Sequence, residues 1–145
     1  MLFRSVCSLG KLRSRTAELL CLFGGLDARA CGTAPDAQAP VTDGLLREAD
    51  LVVCMESTHK RALKDFQHYG ACETVTLGVE DNYDRLEPEL VSLLCYQVRF
   101  HSPQVADAME RGAAVLHGLP GYALALGTQT PRPSSNPAFS AFPSF

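Results

Sequence analysis

Short apolar runs alternate with stretches of helical periodicity along the first hundred residues. Met1 to Val6 opens as a short strand, although Arg4 and Ser5 are poor choices for a buried central one. "SRTAELLCLF" then sets Ala17, Leu20 and Cys21 on one helical face, and Gly24-Gly25 supplies a stop. "DARAC" reads as a strand, "TDGLLREAD" as a helix with Leu45, Leu46 and Ala49 inward, and "LVVCM" as the best buried-strand run. "STHKRALKDFQHYG" follows as a helix capped by Ser57 or Thr58 and stopped at Gly70. "TVTL" is another strand, and "LEPELVSLLCYQV" is a helix with Pro88 in its first turn and Leu90, Val91 and Leu94 inward.

This order predicts a three-layer α/β fold: a mainly parallel four-stranded sheet, right-handed crossovers and helices on both faces. Ligands in such sheets bind beyond the carboxyl ends of the strands, so the loop after the first strand is a favoured site. Past about residue 100 the character changes. Residues 101–127 read as an extra helix or a linker, and residues 128–145, rich in Pro and Ser with no period, as a disordered tail.

Composition narrows the function. The chain has 145 residues, 46% of them apolar, which suits one core. A formal net charge of -3, with Lys11, Lys60 and Lys64 the lysines, argues against nucleic acid as partner. The six cysteines form no CxxC pair and no Cys/His cluster at zinc spacing, so neither metal nor cofactor is expected, and reduced thiols point to the cytoplasm. His59, His68, His101 and His117 share no face and are assigned to the surface. "KLRSR", "LLCLFGGL" and "ARA" imitate a secretory leader, but Glu18 and Gly24-Gly25 break the apolar run. No segment is long enough to span a membrane, and no membrane partner is expected.

The candidate chemistry lies in "VCSLGKLRSRTAE". Cys7 follows a strand, "SLGKL" can turn its backbone N–H groups inward, and Arg13-Ser14 open a helix, so all can converge on one anion. That field favours thiolate over thiol. Cys7 would attack phosphorus, Arg13 would fork onto two phosphoryl oxygens, and the Ser14 hydroxyl would help the sulfur leave. Cys21, Cys31, Cys54, Cys72 and Cys95 read as small apolar core residues.

C-x5-R-S followed by "TAE", then "GTAPDA", "ADLVVCME", and "EDNY" ahead of "LEPEL", resembles the low-molecular-weight protein tyrosine phosphatase superfamily. It looks most like the short bacterial "predicted protein tyrosine phosphatase" branch, over about residues 1 to 98. The resemblance implies a domain spanning residues 1–100 and a phosphate loop of Ser8, Leu9, Gly10, Lys11 and Leu12 leading to Ser14. It implies Asp81 of Asp81-Asn82-Tyr83 as general acid, with Tyr83 lining the substrate cleft. Phosphotyrosine protein or a small aryl phosphate would be the substrate and inorganic phosphate the product. The chain departs from the family at Gly10, where asparagine usually braces the loop, at Arg15, where proline is usual, and at Arg4-Ser5, where the first strand is usually apolar. A non-catalytic phosphate-binding module is the alternative those departures raise. Arsenate reduction is a third reading, disfavoured because the downstream cysteines are widely separated in the sequence.

Overall fold

The computed structural model describes residues 2–118. Four parallel strands form one sheet: β1 (Leu2–Cys7), β2 (Asp27–Gly32), β3 (Leu51–Cys54) and β4 (Glu73–Thr76), in the order β2-β1-β3-β4. Helix α1 (Arg13–Phe23) follows β1, α2 (Asp43–Glu48) follows β2, α3 (Ser57–Leu63) follows β3, and α4 (Pro88–Arg99) and α5 (Pro103–His117) close the described chain. The register sets Phe3 beside Ala28 and Leu51, and Val6 beside Cys31 and Cys54. Alternation along β1 therefore feeds two cores. Phe3 and Cys7 join the larger one with α1, α4 and α5, and Val6 joins the smaller one under α2 and α3.

Strand β1 is central although it carries Arg4 and Ser5, which are 4% and 0% exposed. Both are satisfied by hydrogen bonds. Arg4 Nε donates to the Leu45 carbonyl at 3.2 Å, and Ser5 Oγ donates to the Ser14 carbonyl at 2.8 Å. The serine thereby ties the first turn of α1 to the strand that carries Cys7.

Helix α3 is shorter than its pattern predicts and starts differently. Glu56, not Ser57 or Thr58, is its cap, and Leu63 is its last residue. Beyond it the chain folds into successive turns because the backbone N–H of His68 bonds Asp43 Oδ1 at 2.9 Å, while Phe66 and Tyr69 pack on the smaller core. A tertiary acceptor has displaced the helical one.

Helix α5 packs on α1 and α4, burying Val105, Ala106, Met109, Ala113 and Leu116 in the larger core. Its approach to α1 depends on two glycines. A Cβ at Gly24 would stand 1.8 Å from the Ala108 carbonyl oxygen, and one at Gly112 would stand 1.8 Å from that of Leu20. The remainder of the expected linker, and the expected tail over residues 128–145, lie outside the described residues. Among the described residues no helix is long and apolar enough to cross a membrane.

Candidate active site

The loop between β1 and α1 is held from outside by the segment that follows β2. The N–H groups of Thr33, Ala34 and Gln38 donate to the carbonyls of Cys7, Ser8 and Leu9 at 3.0, 2.9 and 3.3 Å. Each peptide unit is planar and trans, so engaging those carbonyls outward turns the N–H groups of Ser8, Leu9 and Gly10 the opposite way. The Gly10 N–H meets Cys7 Sγ at 3.1 Å. Ser14 Oγ lies 2.9 Å from the same sulfur, which is itself nearly buried. "GTAPDA" with the following Gln38 therefore supplies the splint for the loop.

Gly32 makes that splint fit. A Cβ there would stand 2.6 Å from the Ser8 carbonyl oxygen and 2.8 Å from the Leu9 carbonyl carbon. Gly10 has φ of +72°, a left-handed backbone that glycine adopts freely.

Arg13 is the first residue of α1 and is 2% exposed. Its Nη1 donates to Glu56 Oε1 and, at 2.8 Å, to the Val79 carbonyl, and its Nε lies 3.8 Å from Asp81 Oδ1. The unfavourable setting of a cation at a helix N-terminus is thus answered by two carboxylates. Glu56 was no candidate from sequence; its position ahead of a helix concealed its reach to Arg13, 43 residues away.

Asp81 sits on the segment after β4. Leu77 and Val79 extend the sheet through hydrogen bonds to the carbonyls of Cys54 and Met55 at 2.9 and 2.8 Å, which carries the chain across the end of β3 toward Arg13. The Asp81 side chain is 64% exposed. Farther on, Arg85 Nε donates to the Lys11 carbonyl at 3.1 Å, and the Leu86 N–H donates to Thr16 Oγ1 at 2.9 Å. Leu86 takes a φ of +59° there, a strained value for a leucine.

Cys7, Ser8, Leu9, Lys11, Leu12, Arg13 and Asp81 line one cleft of about 170 Å³. Gly10 and Ser14 act from behind it, through the Cys7 sulfur. Tyr83 packs partly buried against the larger core.

His59 corrects the expectation of a surface histidine: it is 3% exposed. Its Nδ1 accepts the Glu56 N–H at 3.1 Å and its Nε2 lies 3.0 Å from Ser8 Oγ. The spacing Glu56-x-x-His59 was the available signal, a capping box with histidine in the third helical position. Burial, reinforced by Arg13, holds this imidazole below its ordinary range, against the opposite pull of Glu56 and Asp81.

Of the other cysteines, Cys21, Cys31, Cys54 and Cys95 are buried as expected, whereas Cys72 falls short of a core position and packs half-buried on the smaller core. Burial pushes Cys21, Cys31, Cys54 and Cys95 up to about 12, and raises Cys72 as well. Among the described residues no group of three His, Cys, Asp or Glu could hold a metal ion.

No family model matches the chain, and neither does any curated protein. Solved structures do. A mutant of the YwlE arginine phosphatase with a phosphorylated active site serine is 21% identical over 84% of this chain and 99% of its own, with a TM-score of 0.48. The low molecular weight phosphotyrosine phosphatase VcLMWPTP-2 of Vibrio cholerae O395 is 20% identical over 81% of this chain and 94% of its own, at a TM-score of 0.49. A low molecular weight protein tyrosine phosphatase from T. tengcongensis gives 19%, 82%, 99% and 0.45 in the same order.

Proposed function

We propose that the chain is a phosphomonoester hydrolase of the low-molecular-weight tyrosine phosphatase type, acting on phosphotyrosine or a small aryl phosphate through a cysteinyl phosphate. One observation carries this reading. Cys7 Sγ receives the Gly10 N–H and contacts Ser14 Oγ at the base of a cleft whose lining also holds a buried guanidinium, Arg13, and an exposed carboxyl group, Asp81.

The chemistry balances with these groups alone. The thiolate of Cys7 attacks phosphorus and forms the S–P bond as the ester P–O bond breaks, and neutral Asp81 gives its proton to the departing oxygen. Inward N–H groups of the loop and the Arg13 guanidinium stabilise the charge on the equatorial oxygens. Asp81, now a carboxylate, takes a proton from water as that water attacks phosphorus, and the S–P bond breaks. Ser14 Oγ is placed to donate to the thiolate as it re-forms. Inorganic phosphate and the phenol are the products.

The test is turnover of a chromogenic aryl phosphate together with trapping of the phosphoenzyme. Cys7→Ser should abolish turnover and retain orthovanadate binding, because an alcohol is not ionised near neutral pH. Turnover equal to the native chain would exclude the covalent route, and binding without turnover in the native chain would make it a phosphate-binding module.

A further inference from the structure

We propose that His59 is a positioning residue for the phosphate loop: its neutral imidazole links the start of α3 to Ser8, and its protonation releases that link. The inference deepens the hydrolase reading and rests on it.

Geometry fixes the tautomer. Nδ1 accepts the Glu56 N–H at 3.1 Å, so it bears no proton, and the neutral ring must carry its hydrogen on Nε2. Ser8 Oγ, 3.0 Å away, then accepts it. The Glu56 carboxylate in turn caps the His59 N–H, completing the box, and also holds Arg13 Nη1. One short turn thus grips both ends of the loop, Ser8 through the imidazole and Arg13 through the carboxylate. Sequence separates these contacts by 51 and 43 residues.

Protonating His59 places a hydrogen on Nδ1, facing the Glu56 N–H. Donor then meets donor. The box must open, and the ring turns away from Ser8. The charged groups facing His59 are Arg13 of α1, Glu56 at the head of α3 and Asp81 on the segment after β4. Burial first, then Arg13, oppose its protonation, while Glu56 and Asp81 favour it. The link therefore holds above the ordinary imidazole range and is lost as pH falls below it.

A double-mutant cycle tests this. His59→Asn keeps an acceptor near the Nδ1 position for the Glu56 N–H but is too short to reach Ser8, and Ser8→Ala removes the other partner. Each single variant should lower kcat/KM for an aryl phosphate by about five- to tenfold, the worth of one hydrogen bond. The double variant should lose no more than either alone. The ratio of native to His59→Asn rates should shrink toward one as pH falls below the ordinary imidazole range, which a merely structural role would not produce. Additive losses, or a ratio constant with pH, would overturn the proposal. If the native chain turns over no aryl phosphate, the hydrolase reading fails on its own, and the same cycle is read on orthovanadate affinity. Equal affinity in all four proteins would then overturn the role of His59.

Discussion

The two sides of the cleft are built on opposite principles. The carbonyls of Cys7, Ser8 and Leu9 are fixed by backbone hydrogen bonds from residues 33–38 and pressed against Gly32, with the Cys7 sulfur nearly buried. Residues 80–86 run on beyond the last sheet hydrogen bond at Val79 and expose most of Asp81; they meet the loop and α1 through side chains, Arg85 reaching the Lys11 carbonyl and Thr16 the Leu86 N–H. A cradle for an anion works by holding dipoles still, because reorganising them at the moment of reaction would forfeit the electrostatic gain. A proton donor must reach leaving groups of different shape, so an exposed arm serves it better. Arg13 is the hinge between the two, bonded to Val79 and beside Asp81 on one side and opening the helix behind the loop on the other.

The contrast breaks most severely at Gly32. A methyl group there collides with the carbonyl oxygen of Ser8 and displaces several N–H groups together. Gly32→Ala should therefore lower kcat at least a thousandfold for every leaving group, since one preorganised donor alone is worth about a hundred- to a thousandfold. Circular dichroism should still report a folded chain. Activity within tenfold of native would mean that the loop tolerates a shifted splint.

Asp81 tests the other side. Asp81→Asn should slow an unactivated phenyl or alkyl ester about a hundredfold or more and a nitrophenyl ester much less, because nitrophenolate departs without a proton. Linear free-energy plots against leaving-group pKa measure this directly: the slope should steepen in the variant. Equal slowing of good and poor leaving groups would place the acid elsewhere, and Asp84→Asn is the control that locates it.

What was legible in the sequence follows the same division. The four strands, their order along the chain and the helix faces were readable because periodicity is local, and Leu90, Val91 and Leu94 need only the helix that contains them to show their face. The motif from Cys7 to Ser14 was readable for the same reason. His59 was not: a lone histidine gives no hint of a serine 51 residues earlier, and its burial depends on how α3 meets the loop. Gly32 and Gly112 were equally silent, and Gly24, legible as the stop of α1, gave no sign of its approach to Ala108, since each matters through the backbone that presses on it. The polar pair Arg4-Ser5 looked unsuited to a central strand because their acceptors, the carbonyls of Leu45 and Ser14, are supplied by other elements.

The smallest expected effect sharpens the comparison most finely, at Gly10. The resemblance to low-molecular-weight tyrosine phosphatases implies that the asparagine usual there would brace this loop, so that Gly10→Asn would raise the catalytic rate. The structure gives the bracing to Thr33, Ala34 and Gln38 instead, all through backbone N–H groups that no loop side chain replaces. It also leaves little room. A Cβ at Gly10 would lie 3.2 Å from the Cys31 carbonyl carbon and 3.4 Å from the Gly32 nitrogen, both backbone atoms of the splint, at a φ of +72°. Asparagine tolerates that φ better than most residues, so the penalty is a shift of a few tenths of an ångström rather than collapse. Gly10→Asn should lower kcat severalfold but less than tenfold, and cost about 1 kcal/mol of stability by denaturant titration, toward the lower end of what tight packing exacts. A rise in kcat at unchanged KM would show instead that the loop is under-braced, and that its rigidity relative to the Asp81 arm is overstated by its hydrogen bonds.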